Sequence, residues 1–211
     1  MPRAPNLWLE FIAVLLGRPR PSARVAAGYP AGRRFSTSNG PVGSVLVPVM
    51  IIGLLGDFPL SWVLITLCRP AHPGLIHGAV FGAGLFAVGW ALAVRSVSSA
   101  IPHVIDERTL WLGGGTRYEG SISRALIHSV HTFQESRYAW AAANQLHLSD
   151  VLIVSRPDSP NVAIELEDSA MNQVRLSRKG KVIAPRRWIL LYADRPKDLA
   201  AALSSKALAA A

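Results

Sequence analysis

Residues 45–94 read VLVPVMIIGLLGDFPLSWVLITLCRPAHPGLIHGAVFGAGLFAVGWALAV. Two apolar stretches flank the short segment Arg69-Pro-Ala-His-Pro73. The first, residues 45–67, has 23 residues, 14 of them Leu, Ile, Val or Phe, enough to cross about 30 Å of hydrocarbon. Its one charge is Asp57. Each apolar side chain favours insertion by roughly 0.3 to 0.6 kcal/mol and a central Asp opposes it by about 2.5 to 3.5, so the sum still favours the membrane. Pro48 and Pro59 remove helical hydrogen bonds and narrow that margin. The second stretch, residues 74–94, has no acid or base except His77 and is bounded by Arg69 and Arg95. The link is too short for anything but a turn between antiparallel helices. A helical transmembrane hairpin is therefore predicted over residues 41–97.

Small residues recur along the second stretch every four positions: Gly74, Gly78 and Gly82, and beside them Ala79, Ala83, Ala87 and Ala91. Such a row lets another helix backbone approach closely. It is expected to pack against the first span, a second copy of the chain or another membrane protein. A general richness of membrane helices in Gly and Ala would give the same row.

The hairpin leaves about 110 residues, enough for one small soluble domain. The single Cys68 excludes an intrachain disulfide. Lys and Arg outnumber Asp and Glu by 22 to 13. Residues 1–40 carry Arg3, Arg18, Arg20, Arg24, Arg33 and Arg34 against Glu10 alone, with several Pro, Gly and Ser. This composition predicts a mostly disordered segment. Within it, residues 7–16 form an apolar run interrupted by Glu10, read as a short interfacial helix. A signal-peptide core is the alternative, and Arg33-Arg34-Phe35 faintly resembles a twin-arginine signal. Arginines before the first stretch and after the second place both termini in the cytoplasm by the positive-inside rule, in a multi-pass protein of the inner (plasma) membrane.

From about Ile101 the hydrophobic period changes from helical to two. Strands are predicted at residues 104–105, 109–112, 118–122, 127–133, 145–148, 151–154, 162–166, 174–176 and 188–192. In the run from Val162, Val162, Ile164 and Leu166 face one way and Ala163, Glu165 and Glu167 the other, a strand with one wet face. A final helix starts near Asp194 and Pro196, with Leu199, Ala202 and Leu203 as its apolar stripe. The pattern predicts a mainly-β soluble domain over residues 98–211, a small barrel or sandwich closed at one end by the C-terminal helix.

Val104-Ile-Asp106 with Thr109-Leu-Trp-Leu112, the segment Ile122-Ser-Arg-Ala-Leu-Ile-His-Ser-Val130, and the terminal Asp194-Arg-Pro-Lys-Asp-Leu-Ala-Ala-Ala-Leu203 resemble the bacterial pleckstrin-homology-like (PH-like) domains. From about Pro41 to Leu203 the chain is similar to a group of actinobacterial two-span membrane proteins of uncharacterised function. The resemblance implies a PH-like cytoplasmic domain after the hairpin. Its motifs are hydrophobic patterns and turns, so it assigns no catalytic residue.

Asp57 stands out because an ionisable group inside a span is costly and often functional. His77 and His72 are its nearest titratable candidates. Its readings are a kink whose freed donors the carboxylate caps, a helix contact, or an ion or proton path. Arg175, Arg178, Lys179, Lys181, Arg186 and Arg187 put six bases in 13 residues without an acid. Near a cytoplasmic leaflet each would add about 1 kcal/mol of attraction to anionic lipid head groups; a solvated basic loop is the alternative. No aromatic residues interleave with residues 175–181 as stacking platforms for nucleic acid would. Residues 137–143 read as a loop packed on the domain or laid against membrane or partner. Phosphate-loop, nucleophile-elbow and zinc-protease motifs are missing from the sequence, and no cofactor or metal is expected. The expectation is a non-enzymatic binding or scaffolding module, the alternative a subunit of a transporter or membrane enzyme built on Asp57.

Overall fold

The structure is a computed structural model that describes residues 6–114, 118–154, 158–170, 173–178 and 181–204. The first element among the described residues is helix α1 (Leu7–Leu15), whose N-cap Asn6 side chain accepts from Trp8 N. It ends where Gly17 adopts φ +61°, with Gly17 N bonded to Val14 O and Arg18 N to Ala13 O. This is a Schellman ending, and glycine takes the left-handed conformation without a Cβ penalty. Helix α2 (Pro21–Ala27) follows with Pro at its first turn, then a short strand β1 (Arg33–Phe35).

Helices α3 (Pro41–Cys68) and α4 (Pro73–Ala100) each have 28 residues, about 42 Å at 1.5 Å per residue. Both are long and apolar enough to cross a membrane: the most apolar 18-residue window has mean hydropathy 1.9 within residues 44–68 and 1.7 within residues 73–100. Only 6% and 11% of their most apolar windows are buried, so neither is a core helix of this chain. They pack against each other as a hairpin, and Arg69 ends α3 at φ 42°. Pro48 and Pro59 lie inside α3 without ending it.

The remaining strands are β2 (His103–Ile105), β3 (Thr109–Gly114), β4 (Tyr118–Ser123), β5 (Ile127–Thr132), then after α5 (Arg137–Ala143), β6 (Val151–Ile153), β7 (Val162–Leu166), β8 (Arg175–Arg178), β9 (Lys181–Ile183) and β10 (Trp188–Leu191), with α6 (Pro196–Ser204) last. They form two open sheets. One has six strands in the order β1-β2-β3-β4-β8-β9 and the other four in the order β5-β7-β10-β6. Of the barrel and sandwich expected, no closed barrel forms among the described residues. In the second sheet β10 pairs antiparallel with β7 and parallel with β6.

The main core lies where Leu110, Leu112 and Ile122 of the first sheet meet Val162, Ile164, Leu166, Ile189 and Leu191 of the second, with Leu199 and Leu203 of α6. The alternation along β7 is as read from the sequence, but its other face is not wet. Ala163 and Leu190 lie under Phe133, Trp140 and Trp188 in a second cluster. Trp140 stacks on Phe133 at 5.2 Å and meets Trp188 edge-on at 5.2 Å. Residues 137–143, expected as a loop, form α5 because Ser136 caps the first turn and four alanines favour helix. The strand expected at residues 145–148 is instead a turn through Gln145 (φ 56°) into a short 3-10 helix at Leu148–Asp150.

Residues 6–40, expected to be mostly disordered, are built into the fold. β1 pairs antiparallel with β2, with Phe35 opposite His103, and Phe35 joins the main core. Tyr29 is buried with Val97, Ile101 and Val104, and Leu7, Val25 and Trp111 pack against that cluster. This third cluster ties α1, α2 and the end of α4 to the first sheet. Composition missed it because the apolar residues that make it are scattered among arginines and prolines.

Candidate functional site

The N-terminal helices meet α4 around a buried carboxylate. Glu10 is fully buried; its Oε1 accepts from Ser22 Oγ at 2.5 Å and Ser96 Oγ at 2.6 Å, and its Oε2 from Ser22 N at 2.9 Å. Arg20 Nη1 donates to Ser96 Oγ at 3.4 Å. Three neutral donors satisfy the carboxylate, as burial requires. Below it, Phe11 packs on Phe86 and Trp90, and Trp8 joins the same aromatic group. A Cβ added at Gly89 would lie 2.8 Å from Phe11, so that glycine admits α1 to the surface of α4.

The described bases among the six singled out in the sequence are divided between the two sheets. Arg175, Arg178 and Lys181 belong to the β8–β9 hairpin at the edge of the six-stranded sheet, and Lys179 lies outside the described residues. Arg178 is exposed and its guanidinium lies 5.6 Å from the Tyr118 ring centroid. Val182, opposite Ser177 in the same hairpin, is 86% exposed. Arg186 is exposed and precedes β10 in the other sheet. Arg187 is engaged: it bonds Glu165 Oε1 at 2.8 and 3.1 Å and approaches Asp168 at 3.6 Å. Burial pushes the Glu165 carboxyl up, but the Ser129 hydroxyl and Arg187 outweigh it and hold it below the ordinary range. The Glu165 hydrogen bond in turn raises Arg187. Density along the sequence therefore overstated the free charge.

In the hairpin of long helices, Asp57 is exposed and has no hydrogen-bond or ion-pair partner among the described residues. His77 turns to Ser61, with Nδ1 3.1 Å from its hydroxyl. Ser61 Oγ donates to Phe58 O at 2.8 Å, so it accepts from His77 Nδ1–H. Trp62 stacks on the imidazole at 5.5 Å. Gly74, Gly78 and Gly82 face open space: a Cβ on any of them would meet nothing within 4 Å. The close approach to α3 is at Gly84, where a Cβ would overlap Leu54 Cδ1. Gly84 is two positions out of the regular row, about 200° round the helix, and a lone glycine gave no periodic signal.

Other polar groups serve the β domain. Asp106 closes the β2–β3 turn, accepting from Arg108 N, Thr109 N and Trp111 Nε1 at 2.8, 2.6 and 2.7 Å. Burial opposes its charge, but these bonds and Arg124 win and keep its carboxyl below the usual range. His103 is fully buried; Gly113 N donates to its Nδ1 at 3.1 Å, so Nε2–H donates to Tyr192 O at 3.0 Å. Burial lowers its pKa to about 4. Ser129 Oγ donates to Glu165 Oε2 at 2.7 Å and so accepts from His131 Nε2 at 2.9 Å. That order is the reverse of a nucleophile and base, in which imidazole accepts from serine. Among the described residues no three His, Cys, Asp or Glu side chains gather as metal ligands. A cleft of about 230 Å³ near the start of α6 is lined by Arg33, Arg34, Asp194, Arg195 and Asp198 among others, charges of both signs that offset one another.

No family model, curated protein or solved structure matches the chain.

Proposed function

We propose that the protein is a multi-pass protein of the inner (plasma) membrane with both termini in the cytoplasm, a non-enzymatic binding or scaffolding module that presents a PH-like β domain at the bilayer. The observation that carries this reading is the junction. Only Ile101 and Pro102 separate α4 from β2, both are buried, and Tyr29, Val97 and Val104 pack around Ile101. The β domain is fixed to the end of the long helix rather than hung on a linker, which suits a surface held at one height and attitude. Two sheets around one core, with α6 packed against it, support the PH-like assignment. Arg18, Arg20, Arg24 and Arg95 cluster at the β-domain end of the hairpin, against Arg69 at the other, which supports the cytoplasmic side.

The surface offered is the β8–β9 hairpin. Arg178 and Lys181, paired across the hairpin, and the exposed Val182 of β9 combine charge with an apolar side chain, chemistry suited to anionic lipid head groups. Hydrogen exchange of the full chain in nanodiscs tests this: residues 175–183 become protected when an anionic phospholipid is added to phosphatidylcholine. Unchanged exchange there would leave the surface to a protein partner. A reporter fused after Ala211 and active only outside the cytoplasm stays silent on this topology.

A second reading, a subunit of a transporter or membrane enzyme, is favoured by Asp57, a carboxylate near the middle of a candidate span with no partner among the described residues. Its membrane partner would supply the missing donor or base.

A further inference from the structure

We infer that α1 is embedded in the leaflet on the β-domain side and that Arg18, Arg20, Arg24 and Arg95 form a collar there that binds anionic phospholipid head groups. The inference rests on the membrane reading of α3 and α4. It concerns a surface separate from the β8–β9 hairpin.

The geometry begins with position. α1 lies on the C-terminal half of α4: Trp8 and Phe11 contact Phe86 and Trp90, and Glu10 bonds to Ser96. Its inner face is buried through Glu10, Phe11 and Ala13. Its outer face leaves Trp8, Leu9, Ile12, Leu15 and Leu16 between 45% and 57% exposed. That face continues the exposed apolar surface of α4 at Leu85, Phe86 and Leu92. Whatever covers the span there also covers α1, and for a candidate membrane helix that cover is acyl chain. Nine residues reach about 14 Å, less than half the hydrocarbon core, so α1 stays within one leaflet.

The charges sit where such a helix meets the head groups. The chain reverses at Gly17, and Arg18 and Arg20 follow before α2 begins. Arg20 reaches Ser96, beside Arg95, and Arg24 lies one turn on in α2. All four are exposed and none forms an ion pair among the described residues. Glu10, the nearby acid, is turned inward onto Ser22 and Ser96 and leaves the collar uncompensated. An apolar helix face with uncompensated arginines at its interfacial end matches an anionic leaflet in both polarity and charge.

The test uses the full chain reconstituted in bilayers of phosphatidylcholine and phosphatidylglycerol, in a Cys68→Ser background. A fluorophore is placed at Ile12→Cys or, as reference, Leu85→Cys, and quenched by lipids brominated on the acyl chain. Both sites are expected to be quenched by brominated lipid. At Ile12→Cys brominated phosphatidylglycerol should quench more than brominated phosphatidylcholine. Arg18→Gln with Arg24→Gln should cut that preference by about fivefold for each arginine removed, whereas Arg18→Lys with Arg24→Lys keeps it. Quenching at Leu85→Cys without quenching at Ile12→Cys overturns the inference and leaves the membrane reading intact. Quenching at neither site overturns both. Equal quenching by the two lipids, or a preference untouched by the Gln pair, removes the collar.

Discussion

Ser96 Oγ donates a 2.6 Å hydrogen bond to Glu10 Oε1, joining the start of the chain to the end of its second long helix. Ser22 binds the same carboxylate oxygen from α2. One side chain thus holds three helices, and the apolar faces around it are closed by Phe11 and Trp90.

Glu10→Ala should detach this arrangement. It leaves the Ser22 and Ser96 hydroxyls buried without their acceptor, at a cost of about 1–3 kcal/mol for each unsatisfied group. The variant is expected to melt earlier in detergent and to be cut faster by trypsin after Arg24, which Val25 follows. An unchanged cleavage rate would show that α1 is not held by this carboxylate.

Gly84 and Gly78 should respond oppositely to enlargement. Gly84→Leu drives a side chain into Leu54 and should cost about 1–3 kcal/mol, read as loss of folded protein on denaturation in mixed micelles. Gly78→Leu extends into open space and should leave the monomer's stability unaltered. If oligomer yield falls with Gly78→Leu alone, the open row is a contact between chains.

Stability should fall as the pH drops from about 6.5 to about 4, through His103. Its folded pKa is about 4 against 6.5 for the free side chain. In that window the unfolded chain binds a proton that the native chain refuses, so unfolding is favoured as pH falls. The shift corresponds to about 3 kcal/mol. Below about pH 4 both states are protonated and this contribution to the slope ends. His103→Gln should flatten the pH dependence of the melting temperature over the window, and an equally steep profile would refute the assignment.

Trp140→Ala should destabilise the second sheet by about 3–5 kcal/mol, since it removes a buried ring stacked on Phe133 and packed against Trp188. Tyr138→Ala, one position away and 59% exposed, should change stability little. Equal losses from the two would mean that α5 does not dock through Trp140.

The long helices were legible because their signal is local: an unbroken apolar run fixes a helix in hydrocarbon whatever surrounds it. The strands from β2 to β8, and β10, were legible from the sequence, β9 was not, and α6 was legible by its stripe. β1 was not, because Arg33 and Arg34 fill two of its three positions and only pairing with β2 makes it a strand. Glu10 read as an interruption of an apolar run, whereas its partners Ser22 and Ser96 are supplied by other helices. Arg187 read as a free base because Glu165 and Asp168 reach it from a distant part of the chain. In each case the deciding neighbour is remote in sequence, and pattern alone does not name it.

The pairing of Phe35 with His103 has a consequence for synthesis. On the proposed topology the ribosome makes β1 first, then both spans, and only afterwards the strand that β1 must join. Completion of the sheet therefore waits for insertion of the hairpin, and the entropy of closing that loop is offset only once the two spans are side by side. A fragment begun at Ile101 would lack β1 and Tyr29, leaving the β2 edge open to edge-to-edge aggregation. On that topology the β domain is assembled from segments on either side of the hairpin, and its integrity would report on whether the hairpin has been inserted.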